Sequence, residues 1–414
     1  MQLPLMTPVE QNFPATSIDD VAASVQQQVQ EAGLLASIAK GARIAVTAGS
    51  RGIANIPAIM RVVVDQVKEA GGQPFILPAM GSHGGSTPEG QREVLASYGI
   101  TPESMDAPIE ASMDVVEVDQ LKDGTPVLVN RLALEADGVI IVNRVKPHTS
   151  FRGPFESGLM KMMTIGLGSR QGATIAHSRG AHGLTTLIPA WGSVILQKAP
   201  IIGGVAIIEN AYEQTTRIAA LRPEQFESEE LRLLQEAREN MPRLLVHNID
   251  LLIVEQMGKD ISGTGMDTNV LGRMMLPGVK EPDEPGISRI VTLDLTDKTH
   301  GNANGVGIAD IVTRRLFDRI DLKATYANVF TTTFLNRAYI PVIMESDREA
   351  IEAALEVLRL ENPAQARIVR IKNTLEIAHI HISEPLFNEF KDHPHLKQAG
   401  DPQPLSFSAD GSLQ

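Results

Sequence analysis

The sequence predicts an α/β protein of two domains, each built on a mainly parallel sheet. Three observations predict it. Helical and strand patterns alternate along most of the chain, the order that builds parallel sheets. The run "DGVIIVNRVKPH" is apolar at successive positions, as a central parallel strand covered on both faces must be. The chain has 414 residues, more than one core commonly holds, since domains run to roughly 100–200 residues.

The elements follow in order. "IDDVAASVQQQVQEAGLL" has helical spacing and ends near a glycine, and "ARIAVTAGS" is a buried strand entering a Gly/Ser turn. "IPAIMRVVVDQVKEAGG" is a helix closed by two glycines. "QPFILPAMGSHGG" is a strand followed by a glycine-rich loop. "TPEGQREVLASYG" restarts a helix, with Thr87 as N-cap and Pro88 in the first turn. After Pro200 come the strand "IIGGVAIIE", a charged helix from Glu224 to about Glu239, and the strand "DLLIVEQMG". The Gly-, Pro- and Asp-rich stretch that starts at Lys259 reads as the interdomain region, dividing the chain into 1–262 and 263–414. The second domain continues as strand "SRIVTLDLTD", helix "VGIADIVTRRLFDRI", strand "IPVIMES", helix "DREAIEAALEVLRL" and strand "ARIVRIKN", with a frayed polar tail.

Composition narrows the function. A net charge of −13 argues against a general nucleic-acid or anionic-membrane surface. The absence of cysteine removes disulfides, thiolate metal sites and thiol nucleophiles together. No basic, apolar leader opens the sequence and no run is long enough to span a bilayer, so the expectation is a cytoplasmic protein.

In parallel sheets, chemistry collects on loops at the carboxyl ends of strands. Three such loops stand out: "TAGSRG" with Arg51, "GSHGG" with His83, and "RVKPHTSFRG" with His148 and Arg152. His83 is either an acid/base group at the mouth of a cleft or a residue capping a turn. His148 follows a rigid proline amid positive charge, which suits a carboxylate or phosphate, or else it sits in a basic surface loop. Lys161 lies among Met and Leu: a poorly solvated amine that is readily nucleophilic, or a snorkelling side chain. The run holding Gly166, Gly168 and Ser169 is similar to a phosphate-cradling loop. His177 and His182, five apart, are poorly placed to share a metal from one helix face. Lys298 and His300, with Asn302 and Asn304, and Glu255, Lys259, Asp267, Asn269 and Arg273, are polar residues between glycines that suit either a shared cleft or ordinary loops. His379 and His381 share one strand face, more in keeping with a half-buried strand than a metal site.

Taken in order, Arg51, His83, the Pro147–His148 pair, Lys161 and His177 resemble the lactate racemase family, most strongly from about Arg43 to His182. The resemblance implies two α/β domains with a nickel-pincer nucleotide between them. It implies that Lys161 attaches this cofactor through a thioamide and that His177 ligates nickel. It further implies that His83 and His148 are the paired acid/base groups and that Arg51 holds a substrate carboxylate. The implied reaction is racemisation or epimerisation of a 2-hydroxy acid by proton and hydride transfer, with cofactor-biosynthesis proteins as partners. Arg152, Lys298 and His300 are candidate substrate contacts. The loop "TSFRGPFESGLM" is bulkier than the family's Gly/Ser/Ala-rich loop, which leaves a larger or sugar-derived acid as plausible as lactate; Phe151, Arg152 and Phe155 are where selectivity is expected. The alternative is a paralogue that stores the cofactor or uses it for other hydride chemistry.

Overall fold

The computed structural model describes residues 3–277 and 279–414. Among them the strands are β1 (Met6–Gln11), β2 (Arg43–Ala48), β3 (Gln73–Pro78), β4 (Val115–Gln120), β5 (Pro126–Asn130), β6 (Gly138–Arg144), β7 (Ile201–Glu209), β8 (Thr215–Leu221), β9 (Ile249–Met257), β10 (Ile287–Leu295), β11 (Ile311–Thr313), β12 (Val342–Met344), β13 (Ile368–Ile371), β14 (His379–Ser383) and β15 (Leu396–Gln398). They form two α/β units with mixed, mostly parallel sheets.

One unit spans residues 14–241. Its sheet runs β3-β2-β6-β7-β8, parallel except for β8, with β4 and β5 as a separate hairpin. The strand singled out in the sequence is the middle one, and its pleat explains the unbroken apolar run. Val139 and Ile141 face a core shared with Leu159, Met160, Trp191 and Phe226. Ile140 and Val142 face the opposite core, with Ile59, Val63 and Val67 of the helix Ile56–Glu69. Burial on both faces requires this pattern. The Thr87 cap forms as expected: its hydroxyl accepts the Gly90 N–H at 3.1 Å, starting the helix Pro88–Ser97.

The second unit comprises residues 1–13 and 242–414. Its sheet runs β12-β11-β10-β9-β13-β14-β1-β15; the first five strands are parallel and the last three antiparallel. The units therefore divide at residues 241 and 242, not at the expected 262 and 263. The reason is pairing: β9 lies between β10 and β13, so it belongs to the later sheet. The stretch from Lys259 to Gly286, expected between domains, is an internal β9–β10 connection. The N-terminal β1 also joins this sheet, against β14 and β15. "VGIADIVTRRLFDRI" is not one helix: it gives the short strand β11 and the helix Arg314–Asp318. The tail is not frayed, since Phe407 and Leu413 pair and pack against the core around Ile351 and Leu355.

Candidate functional site

The loops after β2, β3 and β6 all belong to the first unit, as do the helices after them. The β6 loop is closed at its neck. Lys146 and Ser157 exchange backbone hydrogen bonds of 2.9 and 3.0 Å, so residues 147 to 156 form an excursion from one point. His148 stands at one side of the neck and Lys161 four residues beyond the other. Asn143 tightens it, its amide donating to the Gly158 carbonyl at 2.8 Å.

Inside the excursion, Phe151 and Phe155 are 1% and 5% exposed and sit in the hydrophobic core. This corrects the expectation that they select substrate: they anchor the loop. Phe151 also packs against the His148 ring, with centroids 4.4 Å apart. Arg152 donates to the His148 and Phe151 carbonyls and lies 3.6 Å from Glu156, so its guanidinium is engaged in holding the loop. The Glu156 side chain has no exposed surface. It accepts the His148 N–H at 2.6 Å and the Gly153 N–H at 3.4 Å, and Arg238 at 2.8 Å.

The His148 Nδ1 accepts the Ser150 N–H at 3.0 Å. A neutral ring in that arrangement carries its proton on Nε2 and presents a donor. His83 is differently placed. It is exposed, its own N–H donates to the Met80 carbonyl at 3.1 Å, and it opens a tight turn through Gly84–Ser86. Gly84 has φ 65° and a Cβ there would lie 2.6 Å from the Gln91 nitrogen, so only glycine lets this turn pack on the next helix. The surroundings of the two histidines thus differ from those of two equivalent bases.

Lys161 ends a short helical turn, Leu159–Lys161, that widens into a π-turn over Met162–Gly166 before the helix Ser169–Ser178. Such wide turns are frequent at functional sites. Gly158 precedes the turn because a Cβ there would lie 2.2 Å from Glu230 Oε1. Glu230 itself is buried beneath the turn and accepts the Met160 N–H at 3.0 Å. Burial pushes its carboxyl up to about 7, against the opposing hydrogen bonds from Met160 and Leu159.

Lys161 and His177 keep some accessible surface, although protein surrounds them densely. Burial lowers the Lys161 ammonium to about 8; the Arg51 charge adds to this and Glu156 opposes it. Burial likewise lowers His177 to about 4, with the Lys161 charge acting the same way. These couplings bring Arg51, Lys161 and His177 into one neighbourhood. Arg51 is exposed on its loop. That loop is fixed by Glu209, which accepts the Ala54 N–H at 2.6 Å and pairs with Arg144.

Residues 5–184 match the family described as lactate racemase N-terminal domain. That span contains Arg51, His83, His148, Lys161 and His177. This part of the chain is similar to the N-terminal domain of lactate racemases. A structure of the lactate racemase apoprotein from Thermoanaerobacterium thermosaccharolyticum matches with a TM-score of 0.52 and 14% identity, over 90% of this chain and 99% of that one. At that identity the likeness is one of fold. No curated protein matches the chain.

One expectation from the sequence needs revision. Gly166 and Gly168 do not form an open phosphate cradle. Both are buried, and a Cβ would meet the Ala79 carbonyl at 2.6 Å in one case and the Thr164 carbonyl at 2.5 Å in the other. Ser169 is also buried, within 3.4 Å of the Asn130 amide. These residues pack a helix turn. Lys298 and His300 are exposed on the loop after β10, in the other unit. Among the described residues, no group of three or more His, Asp or Glu could hold a metal ion by itself. No described helix is long and apolar enough to cross a membrane.

Glu156 and Glu230 were not singled out in the sequence. Glu156 carried no signal there. Glu230 did: it falls on the buried stripe of its helix with Phe226, Leu233, Leu234 and Ala237.

Proposed function

We propose that this chain is a racemase or epimerase of a 2-hydroxy acid that works with a nickel-pincer nucleotide. The observation that carries the proposal is the pair Lys161 and His177. An amine lowered to about 8 is neutral often enough near pH 7 to form a covalent link. An imidazole lowered to about 4 is neutral throughout the physiological range, the form that ligates a metal. The donor chemistry therefore fits the group: Lys161 would hold it covalently and His177 would ligate its nickel. A metal carried by a cofactor needs no cluster of protein ligands, consistent with the absence of one among the described residues. When bound, the cofactor supplies an acceptor for the α-hydrogen as hydride and returns it.

The protein's own residues supply binding and proton transfer. Arg51 pairs with the substrate carboxylate. His83 accepts the hydroxyl proton for one hand of substrate, and His148 hydrogen-bonds the same oxygen from Nε2. Serving the other hand requires His148 to exchange the proton on Nε2, which displaces the Ser150 N–H from Nδ1. The stepwise exchange suits a reversible reaction, since each histidine then serves one enantiomer. Cytoplasmic residence and encounter with cofactor-building enzymes belong to the same proposal.

The proposal is tested by producing the chain together with the cofactor-synthesis enzymes. The expected product carries about one nickel per chain and a mass adduct that vanishes in Lys161→Ala. Neither nickel nor adduct under those conditions would sink the cofactor assignment. A storage paralogue would keep the adduct and interconvert no acid.

A further inference from the structure

We propose that Glu156 is a positioning residue that clamps the proton-transfer histidine, His148, in place relative to the attachment lysine, Lys161; this rests on the roles proposed for those two residues. The carboxylate is the internal fastener of the loop between them. One oxygen, Oε2, takes the His148 N–H at 2.6 Å. The other, Oε1, takes the Gly153 N–H at 3.4 Å and Arg238 at 2.8 Å. Arg152 completes the clamp at 3.6 Å from Oε2, while donating back to the His148 carbonyl. The backbone of His148 is thus gripped on both its N–H and its carbonyl, and the groups that grip it are themselves paired.

The placement is chemically pointed. Glu156 precedes Ser157, which closes the loop's neck against Lys146, and lies five residues before Lys161. A buried carboxylate is costly unless its charge is met and its lone pairs are used, and here Arg152, Arg238 and two backbone N–H groups do both. The charge also reaches Lys161, where it opposes the effects of burial and of Arg51. One residue therefore sets the geometry of the histidine and moderates the neutral fraction of the lysine. A neutral, shape-matched replacement separates the two contributions from mere packing.

The experiment uses the full-length chain without cofactor. Amide hydrogen exchange is followed at His148 to Gly153 and, as an internal control, across β6. Acetylation of Lys161 is followed by mass spectrometry as a function of pH. Glu156→Gln should speed exchange at His148 at least about tenfold, the cost of losing a charged acceptor, while β6 is unchanged. The same variant should raise Lys161 acetylation at pH 7 by at least about threefold, because the opposing charge is gone. Glu156→Asp keeps the charge on a shorter arm: the lysine profile should return toward wild type while His148 exchange stays fast. Unchanged exchange at His148, or equal acceleration across β6, overturns the clamp. An unchanged lysine profile in Glu156→Gln overturns the electrostatic half.

If Glu156→Gln does not fold, Arg238→Gln tests the same clamp from its outer side. It should speed exchange at residues 148–153 and leave β6 alone; no change there overturns the proposal. The functional reading fails separately: cofactor-loaded wild type that interconverts no 2-hydroxy acid contradicts it, whatever the exchange data show.

Discussion

Replacing Glu230 by glutamine should stabilise the first unit, and only at the higher pH values. The side chain is 1% exposed and its carboxyl is pushed from 4.5 to about 7 in the folded protein. The sign follows from proton binding. Between these two values the folded state holds a proton that the unfolded state has lost. Stability is therefore highest below 4.5 and falls as the pH rises through 7. The full displacement is worth about 3.4 kcal/mol at about 1.4 kcal/mol per pH unit, and about 2.5 kcal/mol of it falls between pH 5 and pH 8. Glutamine keeps the shape and the acceptor for the Met160 N–H but cannot ionise. The assay is urea unfolding followed by fluorescence. The chain has one tryptophan, and Trp191 is buried in the same core as Leu159 and Met160, so the signal reports this unit specifically. Wild type and Glu230→Gln should differ little at pH 5, and the variant should be ahead by about 2–3 kcal/mol at pH 8. A difference that stays constant with pH would refute the reasoning, because it would mean that Glu230 does not change its protonation on unfolding.

Two further outcomes follow from the site. Phe151→Ala should cost the first unit about 3–5 kcal/mol in the same tryptophan-monitored unfolding, since the ring lies in the core. A loss below about 1 kcal/mol would return Phe151 to the role of a substrate contact. His83→Ala and His148→Ala should each abolish interconversion while leaving the Lys161 adduct intact. Full activity in either variant would show that this histidine transfers no proton.

The parts of the fold that were legible in the sequence were those set locally. The middle strand β6 declared itself through its unbroken apolar run, because both its faces are covered. Thr87 and Pro88 marked their helix start because capping is a matter of a few adjacent residues. The loops after β2, β3 and β6 were legible as loops because glycines and polar residues follow apolar strands there. What stayed hidden depends on distant pairing. Nothing within "DLLIVEQMG" says that it pairs with β10 and β13, so the unit boundary was misplaced. "MTPVEQ" gives no hint that it will lie beside β14. "VGIADIVTRRLFDRI" carries apolar spacing that fits a helix, and the three β-branched residues Ile311, Val312 and Thr313 resolve it only once β10 is alongside. In the candidate site, burial was not legible. The phenylalanines of the β6 loop looked like selectivity residues because a loop residue is expected to be exposed. Glu156 looked like any loop carboxylate, yet it is wholly enclosed.

The central proposal is that this chain, similar to lactate racemases over residues 5–184, inverts a 2-hydroxy acid at a centre held by Lys161 and His177. The most direct measurement is the optical purity of enantiopure 2-hydroxy acids, lactate and aldonic acids among them, after incubation with cofactor-loaded protein. At least one acid should drift from either hand to the same equilibrium mixture, and Lys161→Ala should stop the drift. Protein that carries the nickel adduct yet leaves every acid optically pure would contradict the claim.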